Sequence, residues 1–264
     1  MAGTAVEAEK TMSEPLSFYM LVKNSERYLD IILSRIAPIA DEIILLDSGS
    51  EDRTQAIADK WQARWHTRSL DNFRNQRAHA LALCQHRYVF FLDSDEIPDP
   101  ALINHIQSLK NNGFNADAYL LPREWIVLGK PVHSIYPICS PDYPVRLVDK
   151  AKVSFSGSTQ VHESYSGYQT TAVLSGKVQH YTFHSRNELK QKLHFYARIA
   201  AEDLLERGKK SSVYKRVMNP PFAWCKWYFF KQGWRDGQLG LILANYAFRY
   251  TFLKYNYISK QQNR

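Results

Sequence analysis

Arg87-Tyr-Val-Phe-Phe-Leu-Asp93-Ser-Asp95-Glu96 is an apolar run that ends in a cluster of carboxylates. Bounded by charge at both ends, it predicts a strand buried on both faces, the habit of parallel sheets. Upstream, Leu16-Ser-Phe-Tyr-Met-Leu-Val22 and Glu42-Ile-Ile-Leu-Leu-Asp47 repeat the pattern. Each stops at a polar group, Lys23-Asn24 in the first and Asp47-Ser-Gly-Ser50 in the second. Between them Leu29, Ile32, Leu33 and Ile36 recur at helical spacing, with Asn24 or Ser25 as cap and Pro38 as stop. Ser50 is placed to cap a second helix reaching about Trp61. A third short strand fits Ala63–His66, and Asn75 to Leu83 has helical spacing. The alternation predicts an α/β fold, a mostly parallel sheet with helices on both faces. Ligands bind such sheets beyond the carboxyl ends of the strands. Asn24, Asp47, Asp93 and Asp95 are therefore expected to line one crevice.

Working downstream, Ala116 to His180 reads as short strands and loops punctuated by Pro, Gly and Ser. Ser185-Arg-Asn-Glu188 is a capping box. It opens a helix whose apolar positions are Leu189, Leu193, Tyr196, Ala200 and Leu204, closed at Gly208. Val213 to Ile258 predicts two further helices, broken near Pro220-Pro221 and near Gly233 or Gly237. The expected organisation is a polar, disordered lead-in over 1–15 with no signal-peptide core, a catalytic domain over 16–184, and a basic aromatic helical extension over 185–264. Within the domain, 16–115 would handle the donor and 116–184 the acceptor.

The chain has 264 residues and a net charge of +8, unevenly spread. Residues 181–264 hold 16 Lys and Arg against 5 Asp and Glu, with 18 of the 35 aromatics. Trp224, Trp227, Tyr228, Phe229, Phe230 and Trp234 interleave with Lys226, Lys231 and Arg235. That is the composition of a segment lying against an anionic membrane surface. A plain solvated helical face is the blander reading. No nucleic-acid partner is expected, because the tail carries neither a nucleic-acid-binding module nor a glycine-rich basic repeat. Leu239–Phe248, the longest nearly uncharged apolar run, has about half the ~20 residues a spanning helix needs. Three cysteines, far apart and odd in number, predict no disulfide framework and a reducing compartment.

Two carboxylates two residues apart at a strand end can hold one divalent cation, Mg²⁺ or Mn²⁺, that fills its shell with phosphate oxygens. A solvated acidic loop ending in the Asp99-Pro100 turn would look the same in isolation; its place after the fourth strand favours chemistry. Asp47 can accept from a ribose hydroxyl or a base N–H, or simply shape a strand-to-helix turn. Other catalytic classes drop out. His162-Glu163 lacks the second histidine of a zinc protease, since residue 166 is serine. There is no Gly-x-Ser-x-Gly, and no cysteine has a partner at metal-binding spacing.

Val22-Lys-Asn24, Asp41-Glu-Ile-Ile-Leu-Leu-Asp47-Ser-Gly-Ser50 and Phe91-Leu-Asp93-Ser-Asp95-Glu96 resemble the nucleotide-sugar half of family 2 inverting glycosyltransferases of the GT-A fold. Val161-His-Glu163-Ser164 and Gly233-Trp-Arg-Asp236-Gly237-Gln-Leu-Gly240 resemble the bacterial lipopolysaccharide inner-core β-1,4-glucosyltransferase branch. The resemblance implies that Asn24 and Asp47 contact uridine. It implies that Asp93 and Asp95 hold ribose and a divalent metal, that His180 completes the metal shell, and that Glu163 is the catalytic base. Arg146 would face diphosphate or acceptor. Gln76-Arg77-Ala78 has alanine where the family has asparagine, so no contact is carried over there. The missing Gln-x-x-Arg-Trp motif of polymerising relatives points to transfer of a single hexose.

The implied partners are a UDP-sugar, UDP-glucose by resemblance, a lipid-linked acceptor such as an inner-core heptose, and the cytoplasmic face of a bacterial inner membrane. Polyprenyl phosphate or another envelope glycan is the alternative acceptor. A metal-dependent nucleotidyltransferase and a non-catalytic lipid- or polysaccharide-binding protein are the readings from other classes. The first would need a glycine-rich loop that Lys23-Asn-Ser-Glu26 does not supply. The second would be indifferent to Asp95 or Glu163. Oligomeric state is left open.

Overall fold

The computed structural model describes residues 13–156 and 164–262. Most of the lead-in lies outside them, as does the segment holding His162 and Glu163. The chain begins β1 (Leu16–Val22), α1 (Glu26–Ile36), β2 (Glu42–Asp47), α2 (Thr54–Lys60) and β3 (Arg64–Thr67). It continues α3 (Phe73–Leu83), β4 (Tyr88–Asp93), β5 (Glu96–Pro98) and α4 (Pro100–Asn112). Short strands follow: β6 (Ala118–Leu120), β7 (Arg123–Val127), β8 (Lys130–Pro131), β9 (Ser134–Ile135), β10 (Ile138–Cys139) and β11 (Val145–Asp149). Then come β12 (Ser154–Ser156), β13 (Ser164–Ser166), β14 (Thr171–Val173) and β15 (Val178–Phe183). Three helices end the chain, α5 (Arg186–Glu206), α6 (Val213–Cys225) and α7 (Gly237–Gln262).

These elements form two compact units that interleave along the sequence. One is drawn from residues up to Pro122 and from Tyr143–Val178, the other from Arg123–Asp142 and residues from Gln179 onward. The first unit is a seven-stranded sheet in the order β14-β6-β11-β4-β1-β2-β3. β4, β1, β2 and β3 run parallel, and β11 runs antiparallel to both β4 and β6. The mostly parallel α/β architecture read from the sequence is thus the observed one. Tyr19, Ile44, Leu46 and Phe91 pack with Ala80 and Leu81 of α3. Successive strand residues alternate faces, so Phe18 and Met20 point the other way, and they are buried as well.

Three local expectations change. Ser50 does not cap a helix: α2 starts at Thr54, whose N–H donates to Asp52 Oδ1 at 3.0 Å. Ser50 is drawn instead to the nearer carboxylate of Asp47. Ser25 does sit at the start of α1, but its side chain makes no capping bond. Asp99-Pro100, read as a turn, begins the 13-residue helix α4. Asp99 Oδ1 accepts the Leu102 N–H at 2.8 Å, and Pro100 takes the first helical turn, where its missing N–H costs nothing.

In the second unit β7 pairs with β8, and the Leu128 N–H donates to the Phe183 carbonyl of β15 at 2.8 Å. The core joins Trp125, Val127 and Phe183 to Leu189 and Leu193 of α5 and to Leu239, Leu243 and Tyr246 of α7. Ser185 caps α5 as expected, accepting the Glu188 N–H at 3.1 Å. α6 runs through Pro220-Pro221 rather than breaking there. Each proline forfeits one backbone donor, and the packing of α6 along α7, with Pro220 and Ala223 buried, offsets that loss. The break comes at the 3₁₀ turn Gly233–Asp236. There any side chain on Gly240 would collide with the Gly233 carbonyl. Among the described residues, no helix is long and apolar enough to cross a membrane. Cys84, Cys139 and Cys225 are free.

Candidate active site at the strand ends of the first unit

Asn24 follows β1, Asp47 ends β2, Asp93 ends β4 and Arg146 stands on β11. Val22 is in register with Asp47 and Leu21 with Asp93, so the two aspartates flank the end of β1 from either side. The convergence expected of the strand ends is present within this unit.

The Asp47 carboxylate shapes its own turn. It accepts the Gly49 N–H at 2.8 Å, the Ser50 N–H at 3.0 Å and the Ser50 hydroxyl at 2.5 Å. Ser50 Oγ in turn accepts the Asn24 N–H at 2.9 Å, and Asn24 Oδ1 accepts the Glu51 N–H at 2.8 Å. The ends of β1 and β2 are latched together by this chain. Gly49 (φ +98°) and Asn24 (φ +49°) occupy the left-handed region the latch requires, which glycine and asparagine enter at least cost.

At the end of β4 the chemistry is ionic. Arg77 Nη2 of α3 donates to Asp93 Oδ1 at 2.6 Å, and Arg146 Nη2 donates to Asp93 Oδ2 at 2.5 Å. Arg146 also donates to Glu96 Oε1 at 2.6 Å, and Glu96 Oε2 accepts the Asp93 N–H at 3.0 Å. Glu96 is fully buried, whereas the Asp93 side chain keeps 28 % of its exposure. Desolvation pushes the Asp93 carboxyl up, but Arg146 and Arg77 outweigh it and hold the group below its ordinary range. Both guanidinium groups lie near the ring of Phe91, at 5.6 Å for Arg77 and 5.2 Å for Arg146. Phe91 stacks on Tyr19 at 5.1 Å, and the Tyr19 and Tyr165 hydroxyls meet at 2.9 Å. Burial pushes the Tyr19 hydroxyl up to about 12, so this floor stays neutral at physiological pH.

The donor set can be tested against the divalent ion that the resemblance implies. Among the described residues no three His, Cys, Asp or Glu side chains gather as a metal cage. Both oxygens of Asp93 already accept arginine N–H groups. Asp95, half-buried two residues on, adds a further carboxylate at the same strand end. Mg²⁺ and Mn²⁺ are commonly held by one or two carboxylates together with substrate phosphates. Asp95 with Asp93 fits an ion shared with a diphosphate and does not fit a protein-only site.

His180 belongs to the second unit, where its ring stacks on Trp125 at 4.4 Å. The indole Nε1 of Trp125 donates to Asp142 Oδ1 at 2.8 Å, and Arg123 pairs with the same carboxylate. Glu163 lies outside the described residues. Arg77 and Glu96 carry the ionic network, and the sequence pattern singles out neither as a site residue. Arg77 has a legible signal nonetheless: it shares a helical face with Ala80, Leu81 and Cys84, which are all buried. A cation on a core-facing stripe calls for a carboxylate partner.

Residues 17–123 match the family model for glycosyl transferase family 2. That match covers less than half of the chain. The chain is 26% identical over 246 residues to the lipopolysaccharide core biosynthesis glycosyltransferase LpsC of Rhizobium meliloti, covering 90% of each chain. It is also 26% identical over 232 residues to an uncharacterized glycosyltransferase of Rickettsia conorii, covering 84% of this chain and 80% of the relative. Among solved structures it is similar to glucosyl-3-phosphoglycerate synthase from Mycobacterium tuberculosis in complex with Mn²⁺, UDP-glucose and phosphoglyceric acid. That match has 18% identity and a TM-score of 0.49, covering 75% of this chain and 82% of the other. The chain thus has curated relatives along most of its length.

Proposed function

We propose that the protein moves a single hexose, with inversion, from a UDP-sugar to a lipid-linked glycan at an anionic membrane surface. The acceptor in this reading is an inner-core heptose of lipopolysaccharide, and the donor is UDP-glucose. The name of the Rhizobium meliloti relative supports the acceptor class. The observation that carries the reading is the paired arrangement at the strand ends. The Asp47–Asn24 latch lies on one side of β1, and Asp93 lies on the other, held by two arginines.

In this mechanism Asn24 and Asp47 bind the uridine, and Asp93 accepts from the ribose hydroxyls while Arg77 and Arg146 hold its carboxylate in place. A divalent ion held by Asp95 with Asp93 would supply stabilisation for the charge that grows on the leaving diphosphate. Glu163 takes the proton from the acceptor hydroxyl as that oxygen attacks the anomeric carbon. The bond from that carbon to the diphosphate oxygen breaks as the new one forms, so UDP departs with the electron pair and the sugar inverts. No covalent sugar–enzyme intermediate is needed, and one base suffices.

Calorimetric titration of UDP and UDP-glucose, in Mn²⁺ and then in EDTA, tests the donor half. The expected result is binding in Mn²⁺ that weakens in EDTA. A folded protein that binds neither ligand in either condition removes the UDP-sugar reading. Transfer assays with heptosylated core acceptor against polyprenyl phosphate then decide the acceptor.

A further inference from the structure

The second unit leaves one helix face without protein cover. Tyr214, Met218 and Phe222 follow one another at four-residue spacing along α6, and Val217 stands beside them. The stripe continues through Phe229 and Phe230, and all six are exposed, from 50% at Met218 to 77% at Phe230. Pro220, Ala223 and Trp227 are buried, so the packed and bare sides of this segment are distinct. Large exposed apolar stripes are rare on free surfaces. Flanking charge narrows the occupant: from Arg207 to Arg235 the sequence holds eight Lys or Arg and not one Asp or Glu. An apolar stripe bordered only by cations complements a surface that is oily inside and negative outside. Its aromatic content suits the interfacial zone.

We infer that α6 and the π-helical segment Lys226–Phe230 that continues it form a membrane-seating face, with Phe222, Phe229 and Phe230 entering the acyl boundary of an anionic bilayer. The inference rests on the membrane part of the proposed function and deepens it by naming the element that inserts. The helix lies in the plane of the surface. Its length of 13 residues is too short to span, and its opposite side stays packed on α7.

The test uses the full chain and flotation with vesicles of phosphatidylethanolamine and phosphatidylglycerol, against vesicles of phosphatidylcholine alone. Wild type is expected to float with the anionic vesicles. Phe222→Ser/Phe230→Ser is expected to lose about tenfold or more of that binding, because two buried aromatic rings are removed. Leu70→Ser, at an exposed site in the first unit, should float as wild type does. Cys225, exposed on α6, provides a readout that does not depend on the double variant folding. With Cys139→Ser and a polarity-sensitive dye on Cys225, emission should shift blue on adding anionic vesicles.

Wild type that floats together with an equally floating double variant, or with an unshifted dye, overturns the assignment to α6 and leaves the membrane reading standing. Wild type that fails to float overturns both. Self-association without vesicle binding, abolished in the double variant, would assign the face to a second copy of the chain.

Discussion

At the end of β4, two arginines, an aspartate and a glutamate are drawn together, with Glu96 fully buried and paired. Along α6 in the other unit, phenylalanines stand more than half exposed in a stretch whose charges all have one sign. The first region has its charge balanced internally, and removing Arg146 takes the arginine from buried Glu96. The second leaves its apolar surface uncovered among the described residues. The difference separates a cluster settled within its own unit from a surface that the membrane proposal completes from outside. Preorganisation serves catalysis, because dipoles already in place need no rearrangement as charge develops.

The largest expected effect tests the base that the proposed transfer needs alongside the organised region. Glu163→Gln should lower the transfer rate by about 10²–10⁴-fold while leaving UDP affinity unchanged, measured by single-turnover transfer and calorimetry. An active variant would remove Glu163 as the base. Arg146→Met comes next. It strands Glu96 and should cost about 3–5 kcal/mol in urea unfolding, the range for breaking a buried pair. A loss no greater than that from an exposed pair would mean the network is not held as described.

Glu42 sharpens the point through pH. Burial pushes its carboxyl up, but the Gln85 N–H, the Ser17 hydroxyl and Arg64 outweigh that and hold it below its ordinary 4.5. A carboxyl depressed on folding stabilises above its unfolded value, and that contribution is lost as pH falls through the folded value. Glu42→Gln should therefore be less stable than wild type at neutral pH, by about 1–3 kcal/mol. Its melting point should converge on that of wild type as pH falls below about 4.5. A deficit that persists in acid would place the cause in packing rather than charge. The smallest effect belongs to Asp30, paired with Lys60 where both side chains are more than half exposed. Asp30→Asn should leave the melting midpoint unchanged, since solvent screens such pairs.

β1, β2 and β4 are legible because each is a continuous apolar run with an abrupt polar end, a pattern that local sequence alone imposes. Their polar ends are legible for the same reason, so Asn24, Asp47, Asp93 and Asp95 stand out from local pattern alone. The start of α4 is not, because Asp-Pro signals a turn and a helix start equally well, and only the following residues' packing separates the two. Ser50 presents a similar tie, since a serine after a strand can cap a helix or bond the preceding aspartate. Pro220-Pro221 shows the reverse: a strong local breaker is overruled by burial against α7.

The sequence by itself determined which segments are strands, which residues end them, and that a basic aromatic tail follows a nearly neutral body. These follow from apolar periodicity and composition, properties of neighbours in the chain. Only the tertiary structure decided that Arg77 and Arg146, 16 and 53 residues from Asp93, close on its two oxygens. It alone decided which side of α6 is packed and which is bare. Ion pairing and burial are settled by what lies close in space, and no local pattern encodes a partner that distant along the chain.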